Sequence, residues 1–317
     1  MGAASLIALG GGALSALLYV STLLGSLSAL MLVLMAQLPL FLVGLGLGTR
    51  SLTLALGLGT LAVGAVAGPW AAGNYLLAEA APVYLLVCQG SLSRGLPEGR
   101  TEWYPAGRLL VWLSLYAGAV LLGFTLYFSS REGGLEGELQ RAIGAMWQIL
   151  GVTPSPEATR LLEAFVAVMP GLGAVSWLVI TVANAALAQG VLLRFGRNLR
   201  PNPTLESFDL PRWLGLLLAA ALAAAVLLAG SAGFAGRNLA FILAVPYFFA
   251  GVATLHAVVR RRASGPAAAV LLYIVLVLAV LILSWLAIVA IAAFGVFDQA
   301  LGLRRRFAPP AAGPKGS

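Results

Sequence analysis

Lysine, histidine and cysteine are almost missing from these 317 residues. The sole lysine is Lys315, so no GxxxxGKS or GxxxxGKT loop exists and the chain cannot be a P-loop ATPase by itself. The sole histidine, His256, rules out multi-histidine metal sites and, with them, ordinary zinc hydrolysis. One cysteine, Cys88, excludes an intramolecular disulfide and any CxxC spacing; inside an apolar run it reads as a small core residue. A GxSxG elbow and HxxE-spaced acids are missing too. The expectation is a protein without catalytic residues, metal or cofactor, and not an enzyme.

Charge is scarce as well. Only 9% of residues are Asp, Glu, Lys or Arg, while 61% are hydrophobic, and the mean hydropathy is +0.98. Apolar runs matching the roughly 20 helical residues needed to cross a bilayer core of about 30 Å recur along the chain. The formal net charge of +8 does not indicate nucleic acid, because the arginines sit in short loops instead of one dense basic face. The composition predicts an all-α, polytopic transmembrane bundle.

Spans are predicted at Ser5–Leu23, Leu27–Gly46, Leu52–Ala67, Tyr75–Gln89, Leu109–Tyr127, Gly171–Leu193, Trp213–Leu228, Leu239–Val259 and Ala267–Ala293, giving eight or nine crossings. The start of the chain has no basic n-region, so its first run reads as an uncleaved helix. Placing Arg50, Arg94, Arg100, Arg108, Arg194, Arg197, Arg200, Arg212 and Arg260 to Arg262 on one side satisfies the positive-inside rule, with a cytoplasmic N-terminus. The reading is one integral-membrane domain, residues 1–303, followed by a basic, disordered tail, 304–317. One conflict arises: nine spans put Arg304 to Arg306 and Lys315 outside. The run from Ala267 to Leu303 is about 55 Å long as one helix, too long for one crossing. Either a membrane-surface helix follows one crossing or two short helices fold back; the lack of Gly or Pro up to Phe294 favours the first.

The long polar excursion is 129–169, expected on the extracytoplasmic side. Leu135, Leu139, Ile143, Met146 and Leu150 recur at helical spacing with charges on other faces. Ser155 before Pro156 reads as an N-cap. These helices are either an interfacial anchor or a lid over a cavity.

A few polar residues interrupt the apolar runs. Glu79 lies inside NYLLAEAAPVYLLV, where a carboxylate costs on the order of 3 kcal/mol on insertion scales and therefore faces a wet cavity or an interface. Pro82 releases a backbone carbonyl at the same level. Asn184 and Gln189, with Gln37 on the second span, are either interhelical hydrogen-bonding residues or the wall of a ligand site. Ala4, Ala8, Gly12 and Ala16 line one face of the first helix, for internal packing or for docking a partner. In ESFDLPRWLGLLL, Pro211 suits the first helical turn, Arg212 lipid phosphates and Trp213 the headgroup belt. Phe208 and Asp209, with Arg197 and Arg200, are candidates for contact with a cytoplasmic partner.

The order of several segments resembles the YybS-like family of bacterial membrane proteins, domain of unknown function 2232: PLFLVGLGLGTR (Pro39–Arg50), the Asn184 span with its basic loop, LPRWL (Leu210–Leu214), NLAFIL from Asn238, PYFFAGVATLHAV (Pro246–Val258) and GVFDQALGLRRR (Gly295–Arg306). That family is grouped with the substrate-binding membrane subunits of energy-coupling-factor transporters. The resemblance implies a bacterial inner-membrane subunit that binds a small molecule and is driven by a separate coupling module. It assigns the Ala4, Ala8, Gly12 and Ala16 stripe to docking that module and puts the ligand among outer helix halves. The leading expectation is a transporter-like, small-solute-binding subunit, lined by Glu79, Asn184 and Gln189. The competing ones are a non-transporting envelope scaffold for lipid or cell-wall machinery, and a homo-oligomer in place of a coupling partner.

Overall fold

The computed structural model describes residues 2–99, 101–202, 208–262, 266–283 and 285–302. Arg100, Glu206, the side chains of Arg260 to Arg262, and the tail expected at 304–317 lie outside the described residues. The described chain is helical apart from one two-stranded hairpin, β1 (Ser93–Gly95) with β2 (Thr101–Trp103). Among the described residues, six helical stretches are long and apolar enough to cross a membrane. Two compact units divide the chain: residues 1–116 with 176–203, and residues 117–175 with 204–317.

In the first unit, α1 (Ala3–Val20) ends at a turn where Gly25 takes φ 61° and Ser26 caps the next helix by accepting from the Ala29 N–H at 3.2 Å. That second crossing is broken into α2 (Leu27–Val33) and α3 (Gln37–Leu47). Thr49–Gly90 forms 42 apolar helical residues, about 63 Å at 1.5 Å per residue and too long for one passage. It turns back at Gly68 (φ 88°, ψ 170°) before Pro69, which brings a Cβ built on Gly64 to 3.3 Å from that of Ala72. The helix α4 (Thr49–Tyr75) is thus a hairpin, continued by a wide π turn (Leu76–Ala80) and α5 (Ala81–Gly90).

The small-residue face of α1 is used inside the chain. Ala8, Gly12, Ser15 and Ala16 are buried, and a Cβ on Gly12 would overlap the Ala55 carbonyl of α4. Only Ala4 of the expected docking stripe stays exposed. Of the two expected uses of this stripe, internal packing or docking a partner, these contacts are internal packing by close backbone approach to α4.

In the second unit, α7 (Gly134–Ile149) and α8 (Pro156–Val166) are the expected amphipathic pair, with Ser155 capping α8 from the Ala158 N–H at 3.2 Å. Leu135 is buried whereas Met146 and Leu150 are exposed, so the apolar stripe of α7 is covered at one end only. The helices α10 (Trp213–Leu227) and α11 (Gly230–Arg262) form an antiparallel hairpin, Gly236 fitting against Ala221 and Ala225.

The C-terminal run is two helices, α12 (Pro266–Leu283) and α13 (Trp285–Leu301). A Cβ on Gly251 would overlap the Ile291 carbonyl, and one on Gly295 the Tyr247 carbonyl, so α13 runs antiparallel to α11. Because α12 starts where α11 ends and α13 must start near that same end, α12 makes no net passage along α11. Of the two expected alternatives, the run is thus divided into two helices and is not one continuous helix. Gly295, just beyond the Gly-free stretch, supplies the close approach that seats α13. Gln299 on α13 donates to the carbonyls of Leu210 and Pro211 at 3.1 and 3.0 Å and accepts from Tyr247 Oη at 2.9 Å, which fixes the LPRW start of α10.

Candidate functional site

Two prolines build the polar centre of the first unit. Pro82 has no N–H, so the carbonyl four residues back, Ala78, loses its helical donor. Gln37 Nε2 and Trp177 Nε1 donate to it at 3.1 and 2.9 Å. The neighbouring Leu77 carbonyl, in the π turn, accepts from Tyr116 Oη at 2.6 Å. Pro39 denies its N–H to the Met35 carbonyl, which takes the Leu38 N–H at 3.1 Å instead, and the helix lapses into a turn at 34–36. Asn184 Nδ2 donates to the Leu34 carbonyl at 2.8 Å, and Ser15 Oγ to the Ala36 carbonyl at 2.6 Å. In hydrocarbon each unpaired backbone group costs several kcal/mol, so these side chains are what allows the breaks.

Glu79 sits within the π turn, half-buried, with the Gln37 side chain in hydrogen-bonding range of its carboxylate and Tyr19 and Tyr75 close enough to feel its charge. Tyr75 Oη lies 2.7 Å from Ser15 Oγ. The helix α9 (Met169–Arg194) presents Trp177, Thr181 and Asn184 at i, i+4 and i+7, one face laid against both breaks. Gln37 Oε1, Thr181 Oγ1 and Asn184 Oδ1 are buried without a hydrogen-bond partner among the described residues, as are Thr60 Oγ1 and Ser114 Oγ elsewhere.

Of the three expected wall residues, Glu79 lies in the π turn and Asn184 reaches the broken turn of the other crossing, and Gln189 does not join them. Its Nε2 donates to the Arg200 carbonyl at 2.9 Å, five residues along α9 from Asn184 and so on a different face. Arg200, expected to face a partner, is 8% exposed and spends its guanidinium on the carbonyls of Gly90 (2.9 Å) and Tyr104 (3.3 Å), beside the Trp103 ring. Desolvation holds its pKa below the usual arginine value. Arg200→Lys removes one of the two carbonyl bonds, because a single ammonium lacks the guanidinium fork. The expected loss is about 1–3 kcal/mol, read as a lower unfolding temperature in detergent. Of the remaining partner-facing candidates, Asp209, Arg212 and Arg197 are exposed while Phe208 is buried.

The second unit holds an apolar cavity of about 410 Å³ lined by Phe124, Phe128, Leu135, Leu139, Met169 and Pro170. At its rim Glu138 pairs with Arg141 at 2.8 Å and Arg131 at 3.1 Å. The hydrogen bond from Arg141, then the Arg131 pairing, holds the Glu138 carboxyl below its ordinary range. A lowered folded-state pKa adds stability above the unfolded pKa and loses it as pH falls through the folded one; for so exposed a pair the contribution is small.

The sequence did not single out Ser15, Tyr75, Tyr116, Trp177 or Thr181. The available signals were the 177–181–184 spacing and a polar residue followed within three by proline in two apolar runs, Gln37 with Pro39 and Glu79 with Pro82.

These features define an integral membrane protein of bundled helices with a polar centre set among apolar spans. The chain belongs to the family described as predicted membrane protein (DUF2232), which matches residues 13–299. No curated protein and no solved structure matches it.

Proposed function

We propose that this protein is a small-solute-binding subunit of a membrane transporter, without a catalytic step of its own, energised by a separate partner. The observation that carries the reading is the pair of proline-broken helices around Glu79. Breaking two crossings at one level and placing a carboxylate there is costly in a bilayer, and such costs are retained mainly where a polar solute or ion is handled. The YybS-like resemblance, and through it the likeness to substrate-binding subunits of energy-coupling-factor transporters, agrees with this reading. So does the bacterial inner membrane with a cytoplasmic N-terminus, which the arginine loops favour.

The crossing count under this reading is eight or nine in one integral-membrane domain. The six long stretches, with Thr49–Gly90 counted twice, and α10 make eight; α13 makes the ninth. Gln37, Glu79 and Asn184 form the ligand-facing wall. Partner contact falls to the exposed Asp209 and Arg212, since Ala8, Gly12 and Ala16 of the α1 stripe are buried.

The test is native purification with mass spectrometry of bound subunits and small molecules. Recovery of ATPase and transmembrane coupling subunits with a bound solute is expected, and Glu79→Gln should lose that solute with expression intact. Asp209→Ala should weaken the partner without altering the solute. A second reading, an envelope scaffold, draws on the exposed Ile149, Leu150, Leu161 and Phe165 of the amphipathic helices. Recovery of cell-wall or secretion proteins alone, with no solute, would favour it and overturn the first.

A further inference from the structure

The polar centre has a one-sided hydrogen-bond inventory. Its donors are committed: Gln37 Nε2 and Trp177 Nε1 to Ala78, Tyr116 Oη to Leu77, Asn184 Nδ2 to Leu34 and to Ile180 (2.9 Å), and Ser15 Oγ to Ala36. The prolines contribute to this imbalance: Pro82 leaves the Ala78 carbonyl to side chains, and at Pro39 the Leu38 N–H goes to Met35, leaving the Leu34 carbonyl to Asn184. What is left over accepts. Gln37 Oε1 and Asn184 Oδ1 can only accept, and Thr181 Oγ1 retains lone pairs; all three residues are at least 98% buried. The Glu79 carboxylate adds a negative charge, and no ion pair to it occurs among the described residues.

We infer that this centre binds a monovalent cation, either a bare alkali ion or the ammonium group of a solute, on Glu79, Gln37, Asn184 and Thr181. This rests on the reading of the first unit as a solute-binding membrane subunit and names the chemistry its site accepts. An anion or carboxylate-bearing group would find the Thr181 hydroxyl as a free donor but would face the Glu79 carboxylate and two amide oxygens, whereas a cation satisfies those oxygens and neutralises the carboxylate together. The charge is one because Glu79 is the single carboxylate. A divalent ion would leave an uncompensated charge in a low-dielectric interior, and no group of three or more His, Cys, Asp or Glu placed to hold a metal occurs among the described residues.

The experiment uses the full chain in nanodiscs, prepared in N-methylglucamine chloride. Thermal unfolding is followed by tryptophan fluorescence, which includes Trp177 at the site, while sodium, potassium, ammonium or methylammonium chloride is titrated in at constant ionic strength. A saturable rise in unfolding temperature with at least one of these salts is expected. A sodium or potassium response identifies a bare ion, a response confined to ammonium and methylammonium a solute amine. Glu79→Gln should weaken the response by about tenfold or more, as expected when one partner of a buried charge pair is neutralised. Thr181→Val, which removes a hydroxyl without a partner among the described residues, should weaken cation binding without lowering the cation-free unfolding temperature. Identical unfolding in all salts overturns the inference, as does a saturable response that persists undiminished in both variants. A copurified neutral or anionic solute that binds through Glu79 in N-methylglucamine alone overturns the cation assignment and leaves the solute-binding reading standing. A cation response with no solute or coupling partner ever recovered upholds the cation site and removes the transporter reading.

Discussion

Gly12→Val is expected to keep α1 from seating on α4, whereas Gly10→Val, two residues away, leaves stability unchanged. A Cβ on Gly12 would overlap the Ala55 carbonyl and lie 3.0 Å from the Ala55 Cα, while one on Gly10 has nothing within 4 Å. Overpacking costs about 1–3 kcal/mol where neighbouring side chains can move aside. At Gly12 the neighbour is main chain, which cannot, so the upper end of that range applies. The same contact holds the site together, because Ser15, one turn along, bonds both the Ala36 carbonyl and Tyr75 Oη. Size-exclusion profiles and unfolding temperatures in detergent, taken for both variants, check the contrast. Equal behaviour of the two would mean that α1 does not pack on α4 in this way.

The second large effect is expected at Asn184. Interhelical hydrogen bonds in membranes average only about 0.6 kcal/mol, because an unfolded span finds other partners. The Leu34 carbonyl is a different case: it lies in a turn that has lost its helical donors, and Asn184 Nδ2 is its donor at 2.8 Å. Asn184→Ala should therefore cost about 1–3 kcal/mol, the penalty for stranding a buried acceptor. Thr181→Val, one turn earlier on the same face, should cost nothing or stabilise, since Thr181 Oγ1 has no partner among the described residues to lose. Unfolding temperatures of the two variants separate the cases. If Asn184→Ala melts with the parent, the broken crossing does not depend on α9.

The sequence was most legible where composition and spacing alone decide. Hydropathy located the apolar runs, Gly25–Ser26 the first turn, Ser155–Pro156 the start of α8, and Pro82 the freed carbonyl beside Glu79. It was least legible where two residues share a helix but not a face. Asn184 and Gln189 look alike in VANAALAQG, yet five residues is about 500° of helical rotation, so one reaches the broken crossing and the other the Arg200 loop. Small residues were ambiguous in another way. A stripe of Ala and Gly says that something approaches closely, and only the position of Ala55 says that the neighbour is the protein's own α4.

By itself, then, the sequence determined a helical membrane protein with a lone carboxylate and two prolines that must release backbone carbonyls, because apolar length and the missing proline N–H are local properties. The tertiary structure decided which donors satisfy those carbonyls and which oxygens remain. Ser15, Gln37, Tyr116, and Trp177 with Asn184 come from four separate stretches of chain, and only packing puts them around Glu79.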